Sequence, residues 1–369
     1  MIYLDNAATT ALSDRVYKAM KPWLEDEYGN PGSLYPFGAM ARNAVEEARA
    51  RVARMIHAQP EQIIFTSGGT ESNRIALLGA ADYLAEKGKK NILTSTMEHD
   101  SVLRPLQYLE SKGFTISRIN HELSEAYVLP CLGMVTAMEI NNEIGTMTDI
   151  EKIGNACHEN GVLFHTDCVQ SACWYPHIVD KIGCDFLSMS AHKFHGPKGV
   201  GALFVRDRNV LSKMFGGGDD QEFGFRGGTE NVAGIVGMGV ACRLEAELQS
   251  DNRLLFVTFE NVLNRELGAD GYKRNTPVAN WKINSYLFRG VDAETLVIML
   301  GAKGVCVSAG SACRSLEQEP SPVLLAVGLT PEEARQSIRV SISDLTTTDQ
   351  LVTAAEIIAQ CVKELRGGE

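Results

Sequence analysis

Seven short apolar runs of strand length punctuate the chain, at residues 63–65, 92–95, 114–119, 134–140, 162–165, 186–189 and 200–205. Between many of them apolar positions recur at helical spacing. Val16, Met20 and Leu24 form one stripe, in a helix that Ser13 is placed to cap. Val45, Ala48, Val52 and Met55 form another. Strands alternating with helices predict an α/β fold, with a mostly parallel seven-stranded sheet covered on both faces. Beyond about Glu247 the pattern changes: long helical segments flank strand-like runs at 305–307 and 337–342. The expected division is a large domain over residues 13–247 and a smaller α+β C-terminal domain over 248–369, with residues 1–12 packing on the smaller one.

Composition narrows the function classes. The 369 residues are 44% hydrophobic and 22% charged, an ordinary globular balance with room for a large core. A formal net charge of −11 suits neither direct nucleic-acid binding nor an anionic membrane surface. Met1-Ile2-Tyr3-Leu4-Asp5 turns polar too early for a cleaved signal, and no apolar run has the length of a bilayer span. Nine scattered cysteines without a Cys-x-x-Cys pair read as reduced thiols of a cytoplasmic protein, not a disulfide frame.

Four stretches could carry chemistry. In "FTSGGTES" a strand runs into Ser67-Gly68-Gly69-Thr70 and then a helix. Glycines admit a ligand close to the backbone and the helix start favours an anion, so this is a phosphate cup or a plain glycine turn closed by Thr70. In "FHTDCVQSA" Asp167 and Gln170 sit past a buried strand, where α/β sheets bind ligands. Asp167 could also cap a helix, or share a metal with His165. No second cluster has ligand spacing, so no metal site is expected. In "SMSAHKFHGP" Lys193 ends a buried strand, beside Ser190 and His192, while Lys198 sits in a turn that suits a solvated charge. In "SAGSACRS" Cys313 lies in a Gly/Ser/Ala loop beside Arg314, which favours thiolate. The other eight cysteines are expected to be small buried hydrophobes. An amine, an acid and an anion turn at neighbouring strand ends have one economical joint use, which is pyridoxal phosphate.

These residues stand in a recognisable series. "YLDNAATT", "YGNPGS", "FTSGGTES", "MEHDSVL", "EINNEIG", "FHTDCVQSA", "SAHKFHGPKGVGALFVR", "FRGGTENVAGIVG", "SAGSACRS" and "SIRVSIS" follow one another as in cysteine desulfurases. The chain resembles that family, pyridoxal-phosphate enzymes of fold type I within the class V aminotransferases, along nearly its whole length. The resemblance implies that Lys193 carries the cofactor as a Schiff base and that His99 stacks on its ring and shuttles protons. Asp167 would pair with the ring nitrogen and Gln170 with the ring oxygen. Gly69, Thr70, Ser190 and His192 would hold the phosphate, with Thr229 reaching the phosphate of a second subunit in a homodimer. Asn142 and Arg339 would bind the substrate carboxylate. Cys313 would take sulfur from L-cysteine as a persulfide and pass it to an acceptor protein, for iron–sulfur assembly or tRNA thiolation. The lysine or His99 would remove the Cα proton.

Three features depart from the family pattern. The stretch around "NHELSEAYVLPCLGM" is several residues short, which predicts a trimmed surface element. Arg314 stands where threonine is common, and "GGGDDQEFGFRGG" is acidic where basic residues are frequent. Other chemistry on the same scaffold (selenocysteine lyase, aminotransferase, epimerase) and a silent scaffold are the alternatives. Cys313 favours desulfuration, because transamination needs no second nucleophile.

Overall fold

The structure, a computed structural model, describes residues 1–120, 123–172, 174, 177–213, 221–247, 253–276, 278, 280–310 and 320–367. The chain divides into two compact units. One comprises Met1–Thr10, Ile140–Met147 and Ser250–Glu369; the other comprises Ala11–Glu139 and Thr148–Gln249. Among the described residues there are twelve strands, β1–β12 in chain order.

In the first unit β1 (Ile2–Tyr3) pairs in parallel with β11 (Val305–Cys306). Strand β10 (Ile283–Leu287) lies antiparallel between β9 (Lys273–Arg274) and β12 (Ser337–Ser341). Apolar residues of β10 and β12 share a core with the helices Arg253–Leu267 and Thr348–Leu365, through Phe259, Leu263, Tyr286, Ile338, Ile358 and Val362. A backbone bridge joins Ile140 to Met147, so this mid-chain excursion closes on itself.

The second unit holds a seven-stranded sheet made of β2 (Ile63–Thr66), β3 (Asn91–Ser95), β4 (Thr115–Ile119), β5 (Met134–Met138), β6 (Leu163–Asp167), β7 (Phe186–Ser190) and β8 (Gly201–Val205). Its order is β2-β8-β7-β6-β5-β3-β4. Only β8 runs antiparallel to its neighbours. The seven expected runs are these seven strands, with ends moved by a residue or two. Successive side chains of a strand point to opposite faces, and the core divides accordingly. Phe65, Leu93, Val135, Phe164 and Leu187 pack with Val45, Ala48 and Val52 of helix α2 (Pro36–Met55). Their neighbours Ile64, Ile92, Met134 and Phe186 pack with Ile75 and Leu77 of α3 (Gly69–Gly79) and with Val102 and Leu106 of the helix Asp100–Ser111. Both faces being covered, β5, β7 and β8 are buried at every residue.

Strand β2 lies at the edge of the sheet, where its outward backbone groups lack a ladder partner. Side chains supply one. Glu222 Oε2 accepts the Phe65 N–H at 2.6 Å, and Arg49 Nη1 donates to the Ile63 carbonyl at 2.8 Å. The two buried side chains also pair with each other, Nη1 and Nη2 of Arg49 each donating to a Glu222 carboxylate oxygen at 2.8 Å. Glu222 and Phe223 adopt positive φ, 44° and 57°.

Three expectations need correction. Ser13 stands at the N-cap of α1 (Asp14–Glu25), but its side chain makes no capping bond; its N–H donates instead to the His195 carbonyl. Of the α1 stripe only Val16 is buried, Met20 is half-buried and Leu24 is 61% exposed. The short stretch around 123–133 is more than a surface trim, because Leu123, Val128 and Leu132 reach the main core.

Candidate active site

The glycine turn after β2 is fixed by hydroxyls and by the absence of side chains. Thr66 Oγ1 meets Ser72 Oγ at 2.8 Å and accepts the Gly68 N–H at 3.3 Å. The first intrahelical bond of α3 runs from the Ser72 N–H to the Gly68 carbonyl, so the N–H groups of Gly69, Thr70 and Glu71 precede it at the positive end of the helix. Gly68 has φ +153°, open to glycine. A Cβ on Gly201, at the start of β8, would lie 2.7 Å from the Gly68 Cα. One on Gly69 would lie 2.4 Å from Val169 Cγ2 and 3.7 Å from Ser190 Cβ. The turn therefore lies directly against the segments that follow β6 and end β7, next to Asp167 and Ser190.

Asp167 ends β6 and is buried. Its Oδ1 accepts the Val169 N–H at 2.9 Å and its Oδ2 accepts Asn73 Nδ2 at 2.7 Å. Asn73 lies in α3, one turn beyond Gly69, and the same Nδ2 donates to Ser101 Oγ at 2.8 Å. Ser101 Oγ lies 2.8 Å from His99 Nδ1, which also accepts the Ser101 N–H as the cap of the helix Asp100–Ser111. Two residues assigned from sequence, Asp167 and His99, are thus joined through two that sequence reasoning missed. The only signal was positional: Asn73 is four residues past Gly69, and Ser101 is two past a capping histidine. Glu98 was missed too. It is buried with Oε1 accepting from Ser95 Oγ at 2.9 Å. Burial pushes its carboxyl up to about 8; the Met138 N–H and the Ser95 hydroxyl oppose this, and Asp167 adds to it.

Lys193 follows β7 in the one-turn helix Ala191–Lys193 and is half-buried, as is His192, while Ser190 and Gln170 are buried and Thr70 is exposed. Lys198 is exposed, as its turn predicts. Thr229 is exposed on a loop tied to α3 by an ion pair, Arg226 Nε to Glu71 Oε1, at 3.6 Å. In the first unit Arg339, on β12, donates Nη1 to the Asn142 carbonyl and Nη2 to Asp5 Oδ1, both at 2.7 Å. Its buried Nε has no hydrogen-bond partner among the described residues. Cys313 and Arg314 lie outside the described residues.

The cysteine expectation holds in part. Cys157, Cys168, Cys184, Cys242 and Cys361 are buried, Cys306 is half-buried, Cys131 is exposed, and Cys173 lies outside the described residues. His165 does not face Asp167 as a metal partner. Its Nδ1 lies 2.7 Å from Thr136 Oγ1 and its Nε2 3.1 Å from Ser188 Oγ, and burial pushes it down to about 3, so it stays neutral. Among the described residues one group with metal-ligand chemistry escaped the sequence reading: Glu139 with the buried Cys168 and His177. His177 Nε2 lies 2.6 Å from Glu139 Oε2. Burial works against charge on His177, but Glu139 and Cys168 hold it protonated well above the usual imidazole range. That is a satisfied ion pair.

The residue set fits pyridoxal phosphate on its own chemistry. A glycine cradle that a Cβ would fill opens onto a helix N-terminus, and an acceptor-only acid and a half-buried amine sit at adjoining strand ends. A family model, aminotransferase class-V, matches residues 2–353. The chain is 42% identical to a cysteine desulfurase IscS of Dictyoglomus turgidum, over 99% of this chain and 95% of that protein. Among solved structures it is similar to a NifS-like protein (TM-score 0.87, 32% identity, 97% of this chain and 98% of that one). It is also similar to SspA in complex with cysteine (TM-score 0.82, 35% identity, 94% of this chain and 100% of that one). On its strand order, its glycine turn and these full-length likenesses, the chain belongs to the class-V aminotransferases, within the pyridoxal-phosphate-dependent cysteine desulfurases.

Proposed function

We propose that this chain removes sulfur from L-cysteine, releases L-alanine and keeps the sulfur as a persulfide on Cys313. The observation that carries the reading is the convergence of the glycine turn, Asp167 and the end of β7 before Lys193, in a chain that matches cysteine desulfurases from end to end. Bound pyridoxal phosphate supplies an electron sink for the substrate carbanion. The turn N–H groups, Thr70, Ser190 and His192 hold the phosphate, Gln170 takes the ring oxygen, and Asp167 offers a carboxylate to the protonated ring nitrogen. Lys193 would hold the cofactor through its amine, and its Nζ would take the Cα proton. Arg339 and Asn142 receive the substrate carboxylate; anchoring of the guanidinium by Asp5 supports this, since its orientation is set in advance. The Cys313 thiolate attacks the substrate sulfur, the C–S bond breaks with its electron pair going to carbon, and Cys313 keeps the sulfur.

Two further elements belong to this reading. The protein works as a homodimer, with Thr229 completing the phosphate site of its partner. Supporting this, Thr229 is exposed, and large apolar side chains between Leu12 and Met40 face solvent, Leu34 at 95%. It acts in the cytoplasm and passes sulfur to an acceptor protein of iron–sulfur assembly or tRNA thiolation. No helix among the described residues is long and apolar enough to cross a membrane.

The test is alanine release from L-cysteine, with mass spectrometry of the Cys313 peptide. The wild type should gain one sulfur there. Cys313→Ser should stay yellow and release no alanine, because a hydroxyl can neither attack sulfur usefully nor store it. Wild-type turnover in that variant would sink the proposal.

A further inference from the structure

We infer that Asn73, through Ser101, fixes His99 as the neutral imidazole protonated on Nε2, so that His99 donates a hydrogen bond and leaves Cα proton removal to Lys193. This rests on the reading above for what the two residues face; the tautomer itself rests on local geometry alone.

Counting donors decides the tautomer. Asp167 offers only acceptors, so the Asn73 atom 2.7 Å from its Oδ2 must be the amide nitrogen. That nitrogen has two hydrogens, and its second partner, 2.8 Å away, is Ser101 Oγ. Ser101 Oγ therefore accepts from Asn73, and its own hydrogen is left for His99 Nδ1, at 2.8 Å. The Ser101 backbone N–H points at the same nitrogen, at 3.1 Å. Nδ1 thus faces two donors and carries no proton. In a neutral ring the proton then lies on Nε2. A base acting from Nε2 needs a lone pair there, and this arrangement denies it one. Asn73 and Ser101 are buried, so water does not compete for these bonds. Asn73 is a positioning residue. From one helix it fixes both the acid at the end of β6 and the tautomer of the histidine.

The experiment uses holoenzyme and apoenzyme labelled with ¹⁵N-histidine, with His99 assigned by its disappearance in His99→Gln. In both forms Nδ1 should resonate as an unprotonated nitrogen and Nε2 as a protonated one. Asn73→Ala frees the Ser101 hydroxyl to turn away, so Nδ1 keeps only the Ser101 N–H as donor and its resonance should move from the wild-type position. In that variant kcat should fall about tenfold, the scale of one such hydrogen bond, with KM for L-cysteine unchanged. Because the residues form one relay, Asn73→Ala/Ser101→Ala should lose no more than the worse single variant. His99→Gln, which keeps a side-chain N–H donor but has no basic nitrogen, should outperform His99→Ala. An Nδ1–H imidazole in the wild type, additive losses, or equal inactivity of His99→Gln and His99→Ala would overturn the inference. A wild type that releases no alanine from L-cysteine would instead overturn the proposed function, while the NMR result would still decide the tautomer.

Discussion

Glu98→Gln gives a stability change whose sign and size follow from burial. Glu98 is buried, and its Oε2 makes no hydrogen bond among the described residues. Unfolded, such a carboxyl loses its proton near 4.5; folded, it keeps it to about 8. Between those values the folded state binds more protons than the unfolded one, so raising the pH favours unfolding. The stability from neutral Glu98 is fully present below 4.5 and is lost progressively as pH rises through 8. Each pH unit inside that window costs about 1.4 kcal/mol, so the full swing is on the order of 5 kcal/mol. From pH 6 to 8 the loss should be roughly 2–3 kcal/mol. Glutamine matches the protonated acid in shape and does not titrate. Its amide nitrogen, at the Oε2 position, loses water without gaining a partner, at a pH-independent cost of about 1–3 kcal/mol. The assay is urea unfolding of wild type and Glu98→Gln at pH 6, 7, 8 and 9. Subtracting the curves cancels every other titrating group, including the His177–Glu139 pair. The variant should gain on the wild type as pH rises to about 8 and the difference should then level off. A difference that stays flat across this range would refute the reasoning, because Glu98 would then be ionised in the folded protein already at pH 6.

Three further predictions follow from the site and its supports. Borohydride reduction should leave a pyridoxyl adduct on Lys193; Lys193→Ala should remove the lysine Schiff-base absorbance band and Lys198→Ala should leave it, so an adduct on Lys198 would reverse the assignment. Asp167→Asn should still bind cofactor but lose turnover by on the order of 10²–10³-fold, the scale for one preorganised electrostatic group, as read from the rate of alanine release. Near-normal activity would remove Asp167 from its role. Arg49→Met should leave Glu222 buried without its cation, costing about 3–5 kcal/mol, while Arg49→Met/Glu222→Leu should recover part of that loss; hydrogen exchange at the Phe65 amide should quicken in both, since each disturbs the acceptor of that N–H.

What could be read in the sequence depended on whether a residue's environment is local. The inner strands were legible because both faces of the sheet are covered, so β5 and β8 read as nearly unbroken apolar runs, while β4 (Thr115–Ile119), largely exposed at the edge, showed only its spaced isoleucines. The α1 stripe misled, since spacing shows which residues share a face but not what that face meets: Val16 finds the core and Leu24 finds solvent. Ser13 stands at the N-cap without a side-chain bond, and its N–H pairs with the His195 carbonyl far along the chain, a contact that spacing does not show. The glycine turn was visible as Gly68-Gly69, yet what makes room for it is Gly201, the first residue of β8, where a Cβ would strike the Gly68 backbone. Asn73 and Ser101 were hidden because a buried polar residue within a helical run looks like a solvated one until its partners are known. The acid they connect was found because it follows a buried strand beside a glycine turn, and His99 was found through the likeness of "MEHDSVL" to the family, whereas nothing singled out Asn73 or Ser101. The chemistry was therefore legible in the reacting groups. The geometry that sets the histidine tautomer was not, because both hydrogen bonds of Asn73 reach residues of other elements: Asp167 across 94 positions and Ser101 across 28.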